Sequence, residues 1–329
     1  STMRDLFFNL DVQSIGQRPY RSLTEQEWLD RTRPGTSLVE YAHRLGIWAH
    51  PKARVWSPPL VASHVGADTT AALVAIGMER QREVVMLVDI GTNTEVVVGN
   101  GESMIAASCP AGPAFEGGLV KYGMTGSEGA IESVRLRGGR FECRTIGGGE
   151  PQGICGSGLI DLLAELRRHG RMTPKGVFAD RSYEFTLAPG AGGCPGITFS
   201  REDASHLAQA KSANYCGQFL VMREYGVSPA EITRLYLAGG FANFVDPASA
   251  VEIGFLAPVA AGRIVKAGNA SLAGARRMLL SRGQRETAGR LVKRVRHLEL
   301  ETMPDFFEVF VEGCQFKPMP AVSPAGVAR

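Results

Sequence analysis

The turn DIGTNTE lies between two apolar runs, VVMLV and VVV, and contains an acid, a glycine and short polar residues. Asp89 ends the first run, where a buried carboxylate is costly without a cation, so it is a candidate for holding Mg²⁺ through water and for catalysis. Gly91 lets backbone approach a ligand, while Thr92, Asn93 and Thr94 offer donors suited to phosphate oxygens. The pattern fits either a phosphate-binding hairpin or an ordinary hairpin with asparagine at its turn.

Two further glycine-rich segments, PAGPAFEGG and GICGSG, each precede a helix-compatible stretch. Gly117 and Gly118 end the first, which is either a second loop able to approach phosphate or a tight strand-to-helix connection. The second opens an amphipathic helix, whose N-terminus could bind an anion or could simply be capped by Ser157. Cys155 in this segment is either a reactive thiol or a packed, inert one.

A glycine pair ends the predicted strand RLYLAG near residue 239. Gly239 and Gly240, followed by Phe241 and Asn243, lack bulk where the strand ends, so a flat ring or a ribose could lie against the backbone at the sheet edge. A glycine pair after a strand is weak evidence when it stands alone.

Hydrophobic periodicity places these motifs on regular elements. We expect a buried strand over 84–88, its antiparallel partner over 96–98 and a third strand over 103–108. The predicted helices cover residues 38–47, 69–78, 159–168, 201–225 and 272–280.

Composition limits the class of protein. The chain has 329 residues, 44% hydrophobic and 21% charged, with a formal net charge of +3, which gives no reason to expect a nucleic-acid partner. It contains no apolar run of 18 residues and no signal-peptide pattern, so we expect no membrane association and a cytoplasmic location. The six cysteines are scattered, which excludes a local C-x-x-C metal cradle.

Taken in order, the acidic-Gly hairpin, the GG-ended strand and two small-residue helices resemble the nucleotide-binding half of the superfamily of sugar kinases, actin and heat-shock chaperone ATPases. The resemblance implies an α/β, actin-like two-lobed ATPase fold with ribonuclease-H-like sheets and flanking helices. It implies that ATP or ADP binds with Mg²⁺ between the Asp89 hairpin and the Gly239 strand end. It also implies that Lys211 contacts the nucleoside.

A closer resemblance rests on the strings VGADTTAALVAIG, DIGTNTE, AGPAFEGG, GICGSGLID, LAGGFANFVDP and GNASLAGA. Together they resemble the C-terminal ATPase domain of the reductive activators of corrinoid proteins. That family implies ATP-driven reduction of a Co(II) corrinoid methyl-carrier protein to Co(I), with an electron donor as a further partner and a homodimer as a possible assembly.

Two features of that family are not found in this sequence: the ferredoxin-like domain with its 2Fe–2S cluster, and an earlier hairpin of the type DIGTTT. We therefore expect an incomplete first lobe and a chain that is the C-terminal part of a longer protein, with the cluster in the missing part. Since phosphoryl transfer needs donors on both sides of the terminal phosphate, we expect weak nucleotide binding and poor ATP hydrolysis from this chain alone.

The expected division is residues 1–150 for the rest of the first lobe with the phosphate hairpin, 151–258 for the second lobe with the adenosine motif, and 259–329 for connecting helices and a returning strand. Two other functions stay open. One is a small-molecule kinase, in which Asp68 or Glu116 would serve as the base. The other is a non-catalytic nucleotide-sensing scaffold.

Overall fold

The computed structural model describes residues 1–190, 196–240 and 242–321. The strands are β1 (Leu38–Tyr41), β2 (Arg54–Ser57), β3 (Val85–Ile90), β4 (Thr94–Gly99), β5 (Met104–Cys109), β6 (Ala130–Arg137), β7 (Arg140–Thr145), β8 (Gly153–Ile154), β9 (Glu184–Ala188), β10 (Ile197–Ser200), β11 (Arg234–Gly239), β12 (Ile264–Gly268) and β13 (Val295–His297). The helices are α1 (Thr2–Phe7), α2 (Leu23–Leu29), α3 (Ala67–Ala75), α4 (Gly156–Arg168), α5 (Arg201–Tyr225), α6 (Pro247–Glu252), α7 (Ala270–Leu280), α8 (Arg282–Val292) and α9 (Phe306–Gly313).

A six-stranded sheet in the order β12-β11-β3-β4-β5-β13 lies at the centre. The predicted meander β3-β4-β5 is antiparallel, whereas β11 runs parallel to both β3 and β12. The last strand, β13, runs parallel to β5. The sheet thus draws strands from all three ranges of the expected division, and the hairpin and the glycine-ended strand are neighbours in it. The expected division assigns these two motifs, which are neighbours in the sheet, to different lobes.

Alternate residues of the central strands face two separate cores, as the period of a strand requires. Val85 and Leu87 pack with α3, α7 and α8 on one face, whereas Met86 and Val88 pack with α5 on the other. Both faces are covered, which explains why the sequence of β3 is a continuous apolar run instead of an alternating one.

Helices α3 and α7 lie close together because their contact is made by small residues. A Cβ atom built at Gly274 would lie 1.8 Å from the carbonyl oxygen of Ala71, so only glycine permits this approach. The two small-residue helices that the sequence predicts are therefore packed directly against each other beside the sheet.

Helix α5 has the bounds that the sequence predicts. Its capping box is complete, because the Ser200 hydroxyl accepts from the Asp203 backbone N–H while the Asp203 carboxylate accepts from the Ser200 N–H. Gly226 ends the helix in the left-handed conformation, at φ +84°. In the middle of the helix, a Cβ at Gly217 would lie 2.1 Å from Cys109 Sγ, so glycine allows α5 to approach β5 closely.

Smaller elements surround this centre. Strands β6, β7 and β8 form a sheet against which α4 packs, and β9 pairs with β10. The helix predicted over 38–47 is wrong: residues Leu38–Tyr41 form β1, which pairs with β2, and a single 3₁₀ turn follows over Ala42–Leu45. The apolar residues of this short segment fit the period of a helix and that of a strand equally well. Pairing with β2 favours the strand.

Candidate functional site

The tip of the Asp89 hairpin is a short turn between β3 and β4. The Gly91 N–H donates to the Asn93 carbonyl oxygen at 3.0 Å and closes the turn. Thr92 and Asn93 project from the tip and are exposed, so both are free to meet a ligand. Thr94 is fully buried, and its hydroxyl has no hydrogen-bond partner among the described residues. The Thr94 side chain is therefore not presented at the tip, where phosphate is predicted to bind.

Asp89 and Glu95 pair directly across the hairpin, just below its tip. Burial raises the pKa of the Asp89 carboxyl to about 6, and the nearby charge of Asp68 adds to this. Ser271 of α7 donates to Asp89 Oδ2 at 3.4 Å. Burial also raises the pKa of Glu95 to about 8, again with Asp68 contributing, against a hydrogen bond from Ser108 at 3.1 Å. The arrangement brings the carboxyl groups of Asp68, Asp89 and Glu95 near one another, and no Lys, Arg or His among the described residues forms an ion pair with them.

This donor set fits Mg²⁺ in one particular way. Mg²⁺ keeps several waters and binds through one or two carboxylates together with substrate phosphates. Asp89 and Glu95 supply such carboxylates, and their raised pKa values reflect a position where a cation would be favoured. Among the described residues, no group of three or more His, Cys, Asp or Glu side chains is arranged as a complete metal site. These residues could therefore hold Mg²⁺ only together with a bound ligand, whose phosphate oxygens would supply further coordination.

The segment 110–118 touches the hairpin tip at two points. The Gly112 N–H donates to the Thr92 carbonyl oxygen at 2.9 Å, and the Thr92 hydroxyl donates to Glu116 Oε2 at 2.6 Å. The glycines that follow serve packing. A Cβ at Gly117, which has φ +96°, would lie 2.6 Å from the Met124 backbone, and one at Gly118 would lie 2.9 Å from Pro113. The side chain that this loop presents to the tip is Glu116, which the sequence analysis considered only for a kinase.

The predicted adenosine motif ends the strand beside the hairpin. Ala238 pairs with Asp89 and Gly239 with Ile90. Gly239 has φ +113°, and a Cβ there would lie 2.0 Å from the Ile90 carbonyl oxygen, so this glycine is required by the neighbouring strand. A Cβ at Gly240 would meet nothing within 4 Å, which leaves open space in front of this backbone. Phe241 lies outside the described residues.

Asn243 is exposed, and it follows Gly240 by three residues in the chain. Its carbonyl oxygen accepts from Lys266 Nζ at 2.7 Å, which ties this segment to β12. Its side-chain amide lies close to Gly268, where an added Cβ would be 3.1 Å away. The end of β11 and the segment after it are therefore held against β12, with the Gly240 backbone exposed beside the hairpin.

Lys211 does not join the site. It is fully buried in α5, and its Nζ donates to the carbonyl oxygens of Ile253 at 3.1 Å and Gln315 at 2.7 Å. Its ammonium also lies 5.2 Å from the centre of the Tyr215 ring. Burial lowers the pKa of Lys211 to about 7. In this structure the Lys211 side chain is enclosed by protein and is not presented to the predicted nucleotide site.

The glycine-rich segment 153–158 is a packing element, not a ligand site. All six residues are buried, and a Cβ at Gly158 would lie 2.2 Å from the Ile131 carbonyl oxygen. Ser157 does not cap the helix; its hydroxyl donates to the Glu132 carbonyl oxygen at 2.9 Å. Cys155 Sγ lies 3.4 Å from the same Ile131 oxygen, in keeping with a packed thiol.

A cavity of about 620 Å³ lies on the other side of the hairpin tip. Asn93, Ser108 and His297 line it from the sheet, and Tyr20 and His64 line it from the N-terminal part of the chain. The residues at the end of β11 do not line this cavity.

Glu95 was not predicted as a site residue from the sequence, and Glu116 was predicted only as the base of a kinase. The sequence did contain a signal for Glu95. Residues that pair across a hairpin lie on the same face of the sheet, so the partner of Asp89 on β4 shares its face. No local pattern predicts the contact between Thr92 and Glu116, which depends on how the second loop folds back.

Comparison with protein families gives two matches. Residues 83–323 match the family described as the C-terminal domain of RACo, the ASKHA domain, and residues 1–81 match the RACo middle region. The two matches meet at residues 81–83, whereas the expected division lies at 150.

Within the described residues, no helix has both the length and the apolar character needed to cross a membrane.

Individual relatives point the same way. The corrinoid activation enzyme RamQ of Eubacterium limosum is 31% identical over 96% of this chain and 55% of its own length. A [Co(II) methylated amine-specific corrinoid protein] reductase of Methanosarcina barkeri is 28% identical over 76% of this chain and 49% of its own. A solved reductive activator for corrinoid, iron–sulfur protein superposes with a TM-score of 0.85 at 32% identity, covering 96% of this chain and 51% of that one.

These matches confirm the predicted actin-like α/β fold and the predicted family. The chain spans about half the length of the relatives that it matches.

Proposed function

The chain belongs to the family described as the C-terminal ASKHA domain of RACo, and from this premise we propose that it is the ATP-binding and ATP-hydrolysing domain of a reductive activator. The whole activator would use ATP to restore a Co(II) corrinoid methyl-carrier protein to Co(I). The names of two relatives, a corrinoid activation enzyme and a corrinoid protein reductase, support this proposal. The observation that carries the nucleotide site is the parallel pairing of Ala238 with Asp89.

That pairing supports a single continuous site at one edge of the sheet. The backbone of Thr92 and Asn93 and the side chain of Asn93 would hold phosphate oxygens at the hairpin tip. The open backbone at Gly240 would admit the ribose and adenine beside it. Asp89 and Glu95, between these two parts, would hold Mg²⁺ through water, and the metal would supply charge neutralisation for the phosphates.

ATP can assist an unfavourable reduction only by stabilising a conformation or a complex in which the cobalt accepts an electron more readily. By binding ATP or ADP, the chain would shift the equilibrium between that conformation or complex and the alternative one. A 2Fe–2S cluster finds no ligand set among the described residues, whose five cysteines are free.

A substitution at Gly240 tests the nucleotide site. In Gly240→Val the new side chain would occupy the open space where the ribose is proposed to lie, so titration calorimetry with ADP and Mg²⁺ is expected to show at least a tenfold loss of affinity, or ~1.4 kcal/mol. Gly262→Val is the matched control, because a Cβ at Gly262 also meets nothing within 4 Å and the residue precedes β12, at the opposite end of the sheet. Undiminished affinity in Gly240→Val would remove this site.

The corrinoid partner needs a separate measurement. We expect a Co(II) corrinoid methyl-carrier protein to bind the ATP-loaded and ADP-loaded chain with affinities that differ at least fivefold, as coupling of about 1 kcal/mol requires. Gly240→Val should remove the difference. Equal affinities in both nucleotide states would contradict the activator proposal while leaving the nucleotide site intact.

A further inference from the structure

Glu116 lies at the phosphate end of the proposed site, on a turn that is held in place by packing. It ends a single 3₁₀ turn, Ala114–Glu116, in which Ala114 and Phe115 are both buried. The Phe115 ring meets the Phe255 ring edge to face at 4.9 Å. Gly117, which follows, is fixed at φ +96° against the Met124 backbone. The turn leaves little freedom to the carboxylate that it carries.

The Glu116 carboxylate is aimed at the hairpin tip. Its Oε2 accepts the Thr92 hydroxyl at 2.6 Å, whereas no Lys, Arg or His of the described chain forms an ion pair with it. Glu116 is only partly buried, so its other carboxylate oxygen remains able to accept a proton from water.

Position separates Glu116 from the other carboxylates. Asp89 and Glu95 lie below the tip, within the hairpin, where they are mostly buried. Glu116 lies beside the tip itself, on the Thr92 side. A bare carboxylate so close to bound phosphate would repel it, so a group that donates a hydrogen bond must lie between them. Water donates to both a carboxylate and a phosphate oxygen, and it fits this requirement.

We propose that Glu116 orients the water that attacks the terminal phosphate of ATP and accepts its proton, and that Thr92 positions the carboxylate. This inference deepens the proposed function and rests on it. The water oxygen forms a bond to the γ-phosphorus while the bond from that phosphorus to the β,γ-bridging oxygen breaks. ADP leaves with the electron pair of the broken bond, and the water proton moves to Glu116 and then to solvent.

Glu116→Gln tests the role of the carboxylate. Glutamine can still accept from Thr92 through its amide oxygen, but it cannot take a proton from water. We expect ATP affinity to stay within about twofold, while the rate of hydrolysis in single-turnover assays with excess protein falls by about 10²–10⁴. Glu102→Gln is the control, because Glu102 is an exposed carboxylate in the turn at the far end of β4 and β5.

Substitutions at Thr92 test positioning separately. Thr92→Val removes the hydroxyl donor and should lower the hydrolysis rate by on the order of 10²-fold, the loss associated with a misplaced group. Thr92→Ser keeps the donor and should restore the rate to near the original value. A merely structural role for residue 92 would not distinguish serine from valine in this way.

The outcomes separate this inference from the function on which it rests. If the unchanged chain binds no nucleotide, the proposed function fails. If it binds ATP but does not hydrolyse it, or if Glu116→Gln hydrolyses at the original rate, the role of Glu116 is overturned and the nucleotide site stands. A higher Mg²⁺ requirement with an unchanged maximal rate in Glu116→Gln would make Glu116 a metal ligand instead, which also overturns the inference.

Discussion

The two carboxylates of the hairpin and the lysine of α5 are all shifted by burial, yet their surroundings differ. Asp89 and Glu95 face each other with pKa values raised to about 6 and about 8, and Asp68 adds a third negative charge. Lys211 has a pKa lowered to about 7, and two backbone carbonyl oxygens accept its hydrogen bonds. The carboxylates lie just below the exposed hairpin tip, whereas the lysine is enclosed.

The difference shows how a perturbed pKa should be interpreted. Strong perturbation by itself indicates a functional site only as a probability, because structural charges are perturbed too. The repulsion among the hairpin carboxylates would be relieved by a cation that arrives with a ligand. The Lys211 ammonium has its hydrogen-bond partners already and gains nothing from a ligand. We therefore assign a binding role to the first group and a structural role to the second.

The largest expected effect concerns Lys211. Lys211→Ala would leave a cavity and two buried carbonyl oxygens without their donor, so we expect a loss of about 3–5 kcal/mol in the free energy of unfolding. Affinity for ADP should stay within about twofold, since the side chain lies outside the site. Denaturant unfolding and titration calorimetry measure the two quantities. Lys317→Ala, which removes a half-exposed ion pair with Glu312, is the control and should cost about 1 kcal/mol or less.

We also expect the free energy of unfolding to depend on pH because of Lys211. Its folded pKa of about 7 lies below the unfolded value of 10.5, so between these values the unfolded chain binds more protons. Stability should therefore rise with pH across this window, by at most about 1.4 kcal/mol per pH unit from this group. Lys211→Met keeps the apolar stem and should remove this contribution. An identical pH slope in the two proteins, or a strong loss of ADP binding, would contradict the structural role.

A smaller effect of a different kind is expected at Asp89. The folded pKa of about 6 lies above the unfolded value of 3.8, so stability from this group is present below pH 3.8 and is lost as pH rises to 6. Asp89→Asn should therefore stabilise the metal-free protein at pH 8, by about 1–3 kcal/mol, and have little effect near pH 3.8. The same change should weaken the Mg²⁺-dependent part of ADP binding about tenfold.

Thermal unfolding at the two pH values and calorimetry with and without Mg²⁺ test this pair of effects together. Asp305→Asn provides a contrast, because hydrogen bonding to Arg223 lowers the pKa of Asp305 and its removal should destabilise the protein at pH 8. Equal losses of ADP affinity with and without Mg²⁺ would instead assign Asp89 to the structure of the hairpin.

The smallest effect is expected at Thr94. Its buried hydroxyl has no partner among the described residues, so Thr94→Val should leave stability unchanged or raise it by about 1 kcal/mol. ADP affinity should not change, whereas Asn93→Ala at the exposed tip should weaken it. A loss of affinity in Thr94→Val would restore the role that the sequence suggested and weaken the contrast between the exposed tip and the buried strand.

Local patterns predicted the elements well where they were long or strongly periodic. The apolar run of β3 and the capping box at Ser200 defined a strand and a helix that the structure contains. The short segment from residue 38 carried too few periods to separate a helix from a strand, and a strand pair formed. The sequence predicted both halves of the candidate site but assigned them to different lobes, because the pairing of β11 with β3 joins residues far apart in the chain.

The directions of individual side chains could not be predicted from the sequence. Thr94 was chosen for its hydroxyl, but alternation along β4 turns it away from Glu95 and into the core. Lys211 was chosen by resemblance alone, and only the packing of α5 against the segments at Ile253 and Gln315 shows that its ammonium is enclosed. The contact between Thr92 and Glu116 required the fold of the second loop.

A crystal structure of this chain with ADP and Mg²⁺ tests the central claim most directly, namely that nucleotide binds where β3 and β11 end side by side. We expect the phosphates within hydrogen-bond distance of Thr92 and Asn93, the metal between them and Asp89, and the ribose over Gly240. ADP in the cavity lined by Tyr20, His64 and His297, with the Gly240 backbone still open, would contradict the account.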